Sequence, residues 1–588
     1  MINDVIINIV ESRWPMKKGF TLIELLAVVV ILAIITLIAT PIILDVINDT
    51  KEESTKISVQ NYMDAVELTI AHNHMMDNDV LITGTYEIIE NGKYIKSVDN
   101  PDQEKLKVEY EGEGLTGGTV KLIDGQIREA NEIKINKYYV RIMLGEVKLF
   151  NKEIKKVELT TGQNFNAKIK TLVTGTETTY STADTTVTSI EFLSYGKLPK
   201  GYKLEDFQKL ERVDISNQGD ETIYAIYDGN DKVYIYTEDE IVFNKTSSFM
   251  FQKFQSAETI DFGGYINTSK VTNMGSMFNG CSNLVELDVS NWDTSKVTSM
   301  GNMFYTCKNL TALDVSNWDT GNVTSMTWMF FSCNKLQELD VSNWKIDKVT
   351  NFENAFHGCS SLEELDVSNW NTENVTNMHG IFASCKSLTE LDVNNFNTSK
   401  VTTMDSMFYG CSGLTSLDVS SFDTDLVTSM QNMFAGCSSL TSLDVSNFDT
   451  SNITSMISMF SECSSLTELD LSNFDTGKIE SMQSLFKNCE NLIKLDISKF
   501  DTSKVTTMQN MFRRCKSLEK LDLRSFNTSN VTNMASMFFE TYKLKPIFVG
   551  ENWTTENATI DNMFGASATI SVEELCEPGS IESWCVVN

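Results

Sequence analysis

The chain has 588 residues and a mass of 66.1 kDa, more than one hydrophobic core usually holds, so several domains are expected. Its formal net charge of -32 argues against nucleic acid as a partner, because phosphate backbones bind clustered Lys and Arg side chains. Six prolines and four histidines argue against collagen-like, proline-rich and histidine-rich metal-binding chains. We expect no cofactor and no resident metal.

The first predicted element is an apolar segment at residues 20–44, in which Glu24 is the one ionisable side chain. As a helix, a segment of this length can cross about 30 Å of hydrocarbon. Lys17 and Lys18 precede it and acidic residues follow it, so the positive-inside rule places the N-terminus in the cytoplasm. We expect a single-pass membrane protein, with the chain after residue 45 at the extracellular surface.

A specific motif surrounds Gly19. The run MKKGFTLIELL, residues 16–26, resembles the class III signal of type IV prepilins and pseudopilins, and Pro41 falls where many pilins carry proline. The resemblance implies cleavage after Gly19 by a prepilin peptidase and N-methylation of Phe20. It also implies filament assembly with other pilin subunits, in which the acid equivalent to Glu24 pairs with a neighbour's N-terminal amine.

The chemistry of Glu24 agrees with that role. An unpaired carboxylate at membrane depth costs about 2.5–3.5 kcal/mol, so a partner is expected, and cleavage would create one in the new amine of Phe20. The simpler alternative is an interfacial glutamate that reaches the headgroups. The predicted leader is residues 1–19. An alternative translation start at Met16 would shorten this leader.

Pilin-like elements are predicted next. Helical spacing continues beyond the apolar segment, so residues 20–78 are predicted to form one membrane-anchored spine helix, with Ile57 among its inward-facing side chains. Residues 79–150 are predicted to form a small β head, in which Asn91 and Gly92 mark a hairpin.

Two further regions flank the repeats that follow. Residues 151–250 are strand-like and are predicted to form a β-rich connecting domain that caps the repeats. Their many acids leave a hydrolytic carboxylate pair open, although abundant acids in an acidic protein are weak evidence. Residues 571–588 form a C-terminal tail, where Cys576 and Cys585 could form a disulfide if the tail is extracytoplasmic.

A 26-residue unit recurs through residues 251–570, as in CSSLTSLDVSNFDTSNITSMISMF from Cys437. Leu443 and Val445 alternate with polar residues, which predicts a short strand. A second set of apolar residues has helical spacing: Met456, Met459, Phe460 and Cys463. One unit cannot bury both faces alone, so stacked units are predicted to form a parallel β/α solenoid.

This pattern resembles the leucine-rich repeat, in particular the BspA-type bacterial surface proteins with their MFxxCxxLxxLDVSxF signature. One departure is that Trp292, Phe396 and their equivalents stand where the familiar repeat has asparagine. The expected fold class is therefore α+β with a solenoid: a long pilin helix with a β head, a β-rich connecting domain, and a leucine-rich-repeat-like array.

Two polar or reactive side chains recur in every unit. The ten cysteines from Cys281 to Cys515 occupy equivalent positions, which stack rather than pair, so we expect buried thiols instead of disulfides. Ten aspartates from Asp288 to Asp522 stack likewise, and like charges in register need compensation. Backbone and hydroxyl donors in the next turn, or bound Ca²⁺, would supply it.

Exposed positions that vary between units are the better candidates for specificity. The candidate ligand surface comprises Glu286, Glu338, Ser416, Lys494, Arg513, Arg514 and Lys520. Its basic members cluster in the late units, where they form either a site for an anionic ligand or a solvated face that reduces self-repulsion.

These patterns together predict a minor or tip subunit of a type IV pilus-like filament that binds an extracellular protein or glycan and has no catalytic activity. A pseudopilin of a secretion or DNA-uptake machine is one alternative. A hydrolase with a targeting solenoid is another.

Overall fold

In the computed structural model the described residues form two compact units, divided between residues 154 and 155. It describes residues 51–565, except for 72, 74–82, 90–92, 102, 109–114, 116–118, 124–125, 136–137, 144–145, 151–152 and 265.

The first unit contains a helix, α1, at residues 51–71. One face of α1 is buried, because residues spaced three and four apart lie on the same side of a helix. The buried face comprises Val59, Tyr62, Met63, Val66 and Ile70. The prediction for Ile57 is wrong: its side chain is 54% exposed, since at about 100° per residue it lies opposite Val59.

A seven-stranded sheet shares a hydrophobic core with α1. Its strands are β1 Gly84–Ile89, β2 Tyr94–Ser97, β3 Leu106–Lys107, β4 Thr119–Ile123, β5 Gln126–Ile135, β6 Tyr138–Met143 and β7 Glu146–Phe150. The order is β3-β2-β1-β4-β5-β6-β7, and every neighbouring pair is antiparallel. Ile89 lies opposite Tyr94 in the β1–β2 hairpin, the pairing expected from Asn91 and Gly92.

The second unit begins with a mixed α/β region. Its elements are β8 Lys156–Glu158, α2 Gly162–Thr174, β9 Ser189–Leu193, α3 Leu204–Phe207, β10 Glu211–Asp214, β11 Tyr224–Tyr227, β12 Lys232–Tyr236, β13 Glu240–Val242 and β14 Thr259–Asp261. Five strands form a sheet in the order β10-β11-β12-β9-β14, and β13 pairs with β8. Phe165 on α2 is buried and meets Phe251 edge to face, with ring centroids 5.5 Å apart.

This mixed region continues directly into the repeats. Strand β14 is parallel to β9, and Thr259 forms a parallel bridge to Glu286 in the first units of the array. One apolar core extends from Val157 to Phe564. The mixed region therefore covers the first turn of the solenoid and shares its core.

Successive units of the array stack in parallel. The strand positions of four late units form β15 Glu468–Asp470, β16 Lys494–Asp496, β17 Leu521–Leu523 and β18 Ile547–Val549. Strand β15 pairs with β16, and β17 with β18. Many units also meet at single parallel bridges, such as the one between Ser455 and Ser481. The array is thus a parallel β-solenoid.

The predicted helix in each unit is wrong. Ser458 and Glu462 have φ angles of 56° and 64°, in the left-handed region that an α-helix does not contain. Their segment consists of turns, in which Met459 N–H donates to Met456 O at 3.2 Å and Cys463 N–H to Phe460 O at 3.3 Å. These turns bury the four side chains that have helical spacing, so the apolar pattern is satisfied without a helix.

Backbone hydrogen bonds of this segment connect neighbouring units instead. Ser458 N–H donates to Gln483 O at 3.0 Å, and Phe460 N–H to Leu485 O at 3.1 Å. Alternate residues therefore bond to the next turn, as in a parallel ladder. Side chains follow the same register, and the rings of Phe278 and Phe304 stack with centroids 5.4 Å apart.

In several units one of two side chains closes the turn after the strand position. In the early units the indole closes it, as Trp344 Nε1 donates to Val315 O at 3.2 Å. In later units phenylalanine replaces tryptophan, and the preceding asparagine donates instead: Asn447 Nδ2 reaches Val419 O at 3.2 Å. Val419 and Val315 occupy the same repeat position, so tryptophan and asparagine donate to the same carbonyl in different units. This asparagine lies one residue before the position that asparagine occupies in the familiar leucine-rich repeat.

Candidate functional site

The strand side of the solenoid exposes two columns of side chains. In Leu443-Asp444-Val445 the leucine and valine are buried, whereas Asp444 and the residue two positions before it are exposed. We call the exposed positions equivalent to Glu286 and Asp288 the strand-side face. Five of the seven predicted ligand residues belong to one of its columns: Glu286, Glu338, Ser416, Lys494 and Lys520.

The charge of this column changes along the array. Glutamates occupy most early positions, and lysines occupy the last two, Lys494 and Lys520. Lys494 Nζ lies 3.2 Å from Glu468 Oε2, with both side chains mostly exposed, so the ion pair adds little stability. This column is therefore mostly acidic in the early units and carries lysine beside Asp496 and Asp522 in the late units.

Arg513 and Arg514 belong to other repeat positions, and nearby acids offset the charge of Arg514. The Arg514 guanidinium contacts Glu490 at 3.3 Å and Glu540 at 3.2 Å, and Lys516 also contacts Glu490, at 2.8 Å. The Arg513 guanidinium lies over the Phe539 ring at 4.9 Å. These contacts favour the solvated face over a site for an anionic ligand.

Each aspartate of the ladder is bound within its own turn. Asp366 Oδ1 accepts the hydroxyl of Ser368 at 2.6 Å and its N–H at 3.0 Å. These hydrogen bonds lower the pKa of Asp366, because they favour the carboxylate. Across the described part of the chain, no group of three or more His, Cys, Asp or Glu side chains is placed to hold a metal ion. Donors within the same turn thus compensate the stacked charges.

The ladder cysteines are free and buried, as predicted. Each thiol donates to a phenylalanine carbonyl of a neighbouring unit, for example Cys437 Sγ to Phe408 O at 3.2 Å. Burial raises the pKa of Cys411 to about 12, because a thiolate is poorly solvated there. The thiols therefore act as small core side chains.

The structure also contains a partly exposed aromatic cluster that the sequence analysis missed. Tyr305 and Phe331 stack with ring centroids 5.0 Å apart and planes 9° apart. Trp328 lies 4.7 Å from Phe331 and 6.1 Å from Tyr305, inclined by about 50° to both. His357 is 4.7 Å from Phe331 on its other side. Three adjacent units contribute these four rings.

A signal in the sequence could have located this cluster. Trp328 has a φ of 59° and occupies the same repeat position as Ser458. The other units carry only small or turn-forming residues there: Ser276, Asn302, Asn354, Gly380, Ser406, Asn432, Ser458, Ser484, Asn510, Ser536 and Asn562. All of these positions have positive φ. A tryptophan among them is the exception.

Several predicted residues lie outside the described part of the chain. They are Gly19, Phe20, Glu24, Pro41, Cys576 and Cys585. The apolar segment 20–44 lies outside it as well. Among the described residues, no helix is both long enough and apolar enough to cross a membrane.

The fold and its surface define a repeat protein with a parallel β-solenoid and an N-terminal cap. The chain belongs to the family described as Mycoplasma protein of unknown function, DUF285, whose model covers more than half of it. The matches span residues 245–364, 326–418, 388–492 and 462–574. Residues 14–40 match the prokaryotic N-terminal methylation motif, which gives the chain a type IV pilin-like N-terminus.

Solved structures show weaker likenesses. The TLR13–ssRNA13 complex is 16% identical over 58% of this chain and 49% of that chain, with a TM-score of 0.21. The functional domain of InlJ from Listeria monocytogenes, which includes a cysteine ladder, is 18% identical over 49% of this chain and 62% of that chain, with a TM-score of 0.13. The chain thus spans less than two thirds of either. No curated protein matches it.

Proposed function

We propose that this protein is a minor or tip subunit of a type IV pilus-like filament that displays its solenoid outside the cell, for adhesion or recognition of a protein or glycan. One observation carries the proposal: a single chain joins the methylation motif at residues 14–40 to a solenoid with a continuous core. A filament subunit that carries a large, rigid repeat domain is suited to display.

Assembly would proceed through the N-terminal segment. A prepilin peptidase would cleave after Gly19, and Phe20 would become the methylated N-terminus. Glu24 would then pair with the amine of a neighbouring pilin subunit, which provides the partner that a buried carboxylate needs. Before processing, the chain would be held in the cell membrane with its N-terminus in the cytoplasm.

Recognition would use the solenoid surface, without catalysis. The recurring apolar residues and the ladder cysteines are buried, whereas the exposed column through Glu286 and Lys494 varies. The BspA-type leucine-rich repeat assignment belongs to this proposal: the unit period and parallel strands support it, and the helix-free turns depart from it. About twelve units at about 4.8 Å each give a length of roughly 55–60 Å, which favours a minor over a major subunit.

Immunogold labelling of intact cells with antibody to residues 251–570 tests the proposal. We expect label on filaments or their tips in cells that express the natural chain, and label confined to the cell membrane in cells that express Glu24→Ala. Label confined to the membrane for the natural chain would contradict a filament role. A deletion that abolishes export or DNA uptake but leaves surface binding intact would instead favour the pseudopilin.

A further inference from the structure

Trp328 occupies a backbone position that disfavours it. Its φ of 59° brings the Cβ of a non-glycine residue close to the following carbonyl, and bulky side chains are rare in this conformation. The equivalent residues in both adjacent units are asparagines, Asn302 and Asn354, which adopt left-handed backbone more readily. The solenoid geometry therefore does not account for an indole at this position.

The indole lies beside the aromatic stack instead of continuing it. The three centroid distances among Tyr305, Trp328 and Phe331 place Trp328 to one side of the Tyr305–Phe331 axis. Since the flanking ladder positions hold Asn302 and Asn354, no equivalent ring stacks on the indole from the units before and after it. The indole and Tyr305 thus form two walls of a corner, which we call the aromatic notch.

The four rings and the flanking residues Asn302 and Asn354 carry no formal charge in an otherwise acidic chain. Asn302, at the repeat position beside Trp328, is half-buried and offers an amide donor and acceptor, whereas Asn354 is buried. His357 Nδ1 pairs with Asn354 Oδ1 at 2.8 Å, and burial lowers the pKa of His357, which favours the neutral imidazole. At the repeat position of Tyr305, by contrast, later units carry Lys487 and Arg513. A neutral ligand fits this environment better than a charged one.

The size of the notch excludes a protein as its main occupant. Three adjacent units span about 10 Å along the solenoid, at about 4.8 Å per step. A stable protein interface needs about 20–30 residues from each partner, far more than four rings and their flanking amides. One or two sugar rings match this length, because their C–H faces pack on aromatic rings while their hydroxyls pair with amides.

We propose that the aromatic notch binds one or two sugar rings of a neutral glycan. The inference deepens the proposed recognition function and rests on it. Trp328 and Tyr305 would contact the sugar faces, and the half-buried amide of Asn302 would bond a sugar hydroxyl.

A glycan array printed with neutral and anionic glycans tests this proposal on the full chain, in a detergent without a sugar headgroup. The variant Trp328→Asn gives this unit the residue of both its neighbours, so we expect an unfolding temperature that is not lowered. Tyr409→Ala is the matched control, since Tyr409 is 44% exposed at the repeat position of Tyr305 but has alanines in the adjacent units. We expect the natural chain and Tyr409→Ala to bind neutral glycans equally. Binding by Trp328→Asn should be weaker by a factor of about ten or more.

Three results would overturn the inference: no binding to any neutral glycan, binding to anionic glycans alone, or equal binding by the folded Trp328→Asn variant. A cell-attachment assay separates this failure from failure of the proposed function. If Trp328→Asn abolished attachment to an enzymatically deglycosylated protein surface, the partner would be a protein, and surface recognition would stand without the glycan. If immunogold label never reached filaments, the filament role would fail whatever the array showed.

Discussion

Ser458 distinguishes a solenoid of turns from a solenoid of helices, because the two architectures predict opposite effects for one pair of substitutions. With φ at 56°, Ser458→Ala retains a Cβ that costs about 1–2 kcal/mol in left-handed backbone. Ser458→Gly avoids that strain but loses about 0.4–1 kcal/mol through greater entropy of the unfolded chain. The alanine variant should therefore be less stable than the glycine variant by about 0.5–1 kcal/mol. In an α-helix, alanine would instead be more stable than glycine by about 1 kcal/mol.

Hydrogen exchange read by mass spectrometry measures this difference locally, which suits a repeat protein whose units need not unfold together. The amides of Phe460 and Glu462 donate to the next unit, at 3.1 and 2.7 Å, and should report openings of this turn. We expect them to exchange about two- to five-fold faster in Ser458→Ala than in Ser458→Gly. Ser461, which lacks a positive φ, is the control, and there alanine should be the more stable variant. Slower exchange in Ser458→Ala would refute the turn structure.

Three further predictions follow from the ladders. Hydrogen bonds from the Ser446 turn lower the pKa of Asp444 in the folded protein. The carboxylate therefore stabilises the fold above about pH 4, and this contribution is lost as the pH falls through the lower folded pKa. The urea midpoint of the natural chain should drop in acid, and that of Asp444→Asn should drop less. Burial raises the pKa of Cys411 to about 12, so iodoacetamide at pH 8 should leave it and its ladder equivalents unlabelled in the native protein and label them after unfolding in urea, as read by peptide mass spectrometry. Trp344→Phe should lower the free energy of unfolding by about 1 kcal/mol if Asn343 then donates to the carbonyl of Val315. The double variant Trp344→Phe/Asn343→Ala should lose about 1 kcal/mol more than the sum of the two single variants. Additive losses in urea denaturation would contradict the replacement of the indole donor by the asparagine.

The period of the repeats predicted much of the array, because a side chain required in every unit recurs at a fixed spacing. The buried thiols are found, and the predicted short parallel strands are found in four late units but not at residues 443–445 themselves. The helix could not be separated from a series of turns by apolar spacing alone, since both structures bury Met456 and Phe460. The residue at Ser458 and its equivalents was the missed signal, because nearly every unit has serine, asparagine or glycine there.

The candidate surface was harder to predict than the fold. Repeat arithmetic alone places Glu286 and Lys494 in one exposed column. The charge of Arg514, however, is offset by Glu490 and Glu540 from adjacent units, at distances that depend on how their side chains point across the stack. The aromatic cluster was missed for a different reason. The sequence was interpreted from the residues that all units share, whereas Trp328 is informative because the other units carry a different residue at its position.

Mass spectrometry of filaments sheared from cells tests the central claim most directly. The account predicts a mature N-terminus at N-methylated Phe20, recovered in the same fraction as peptides from the solenoid at residues 251–565. A chain that retains residues before Gly19, or solenoid peptides found in the membrane fraction and absent from the sheared filaments, would contradict it.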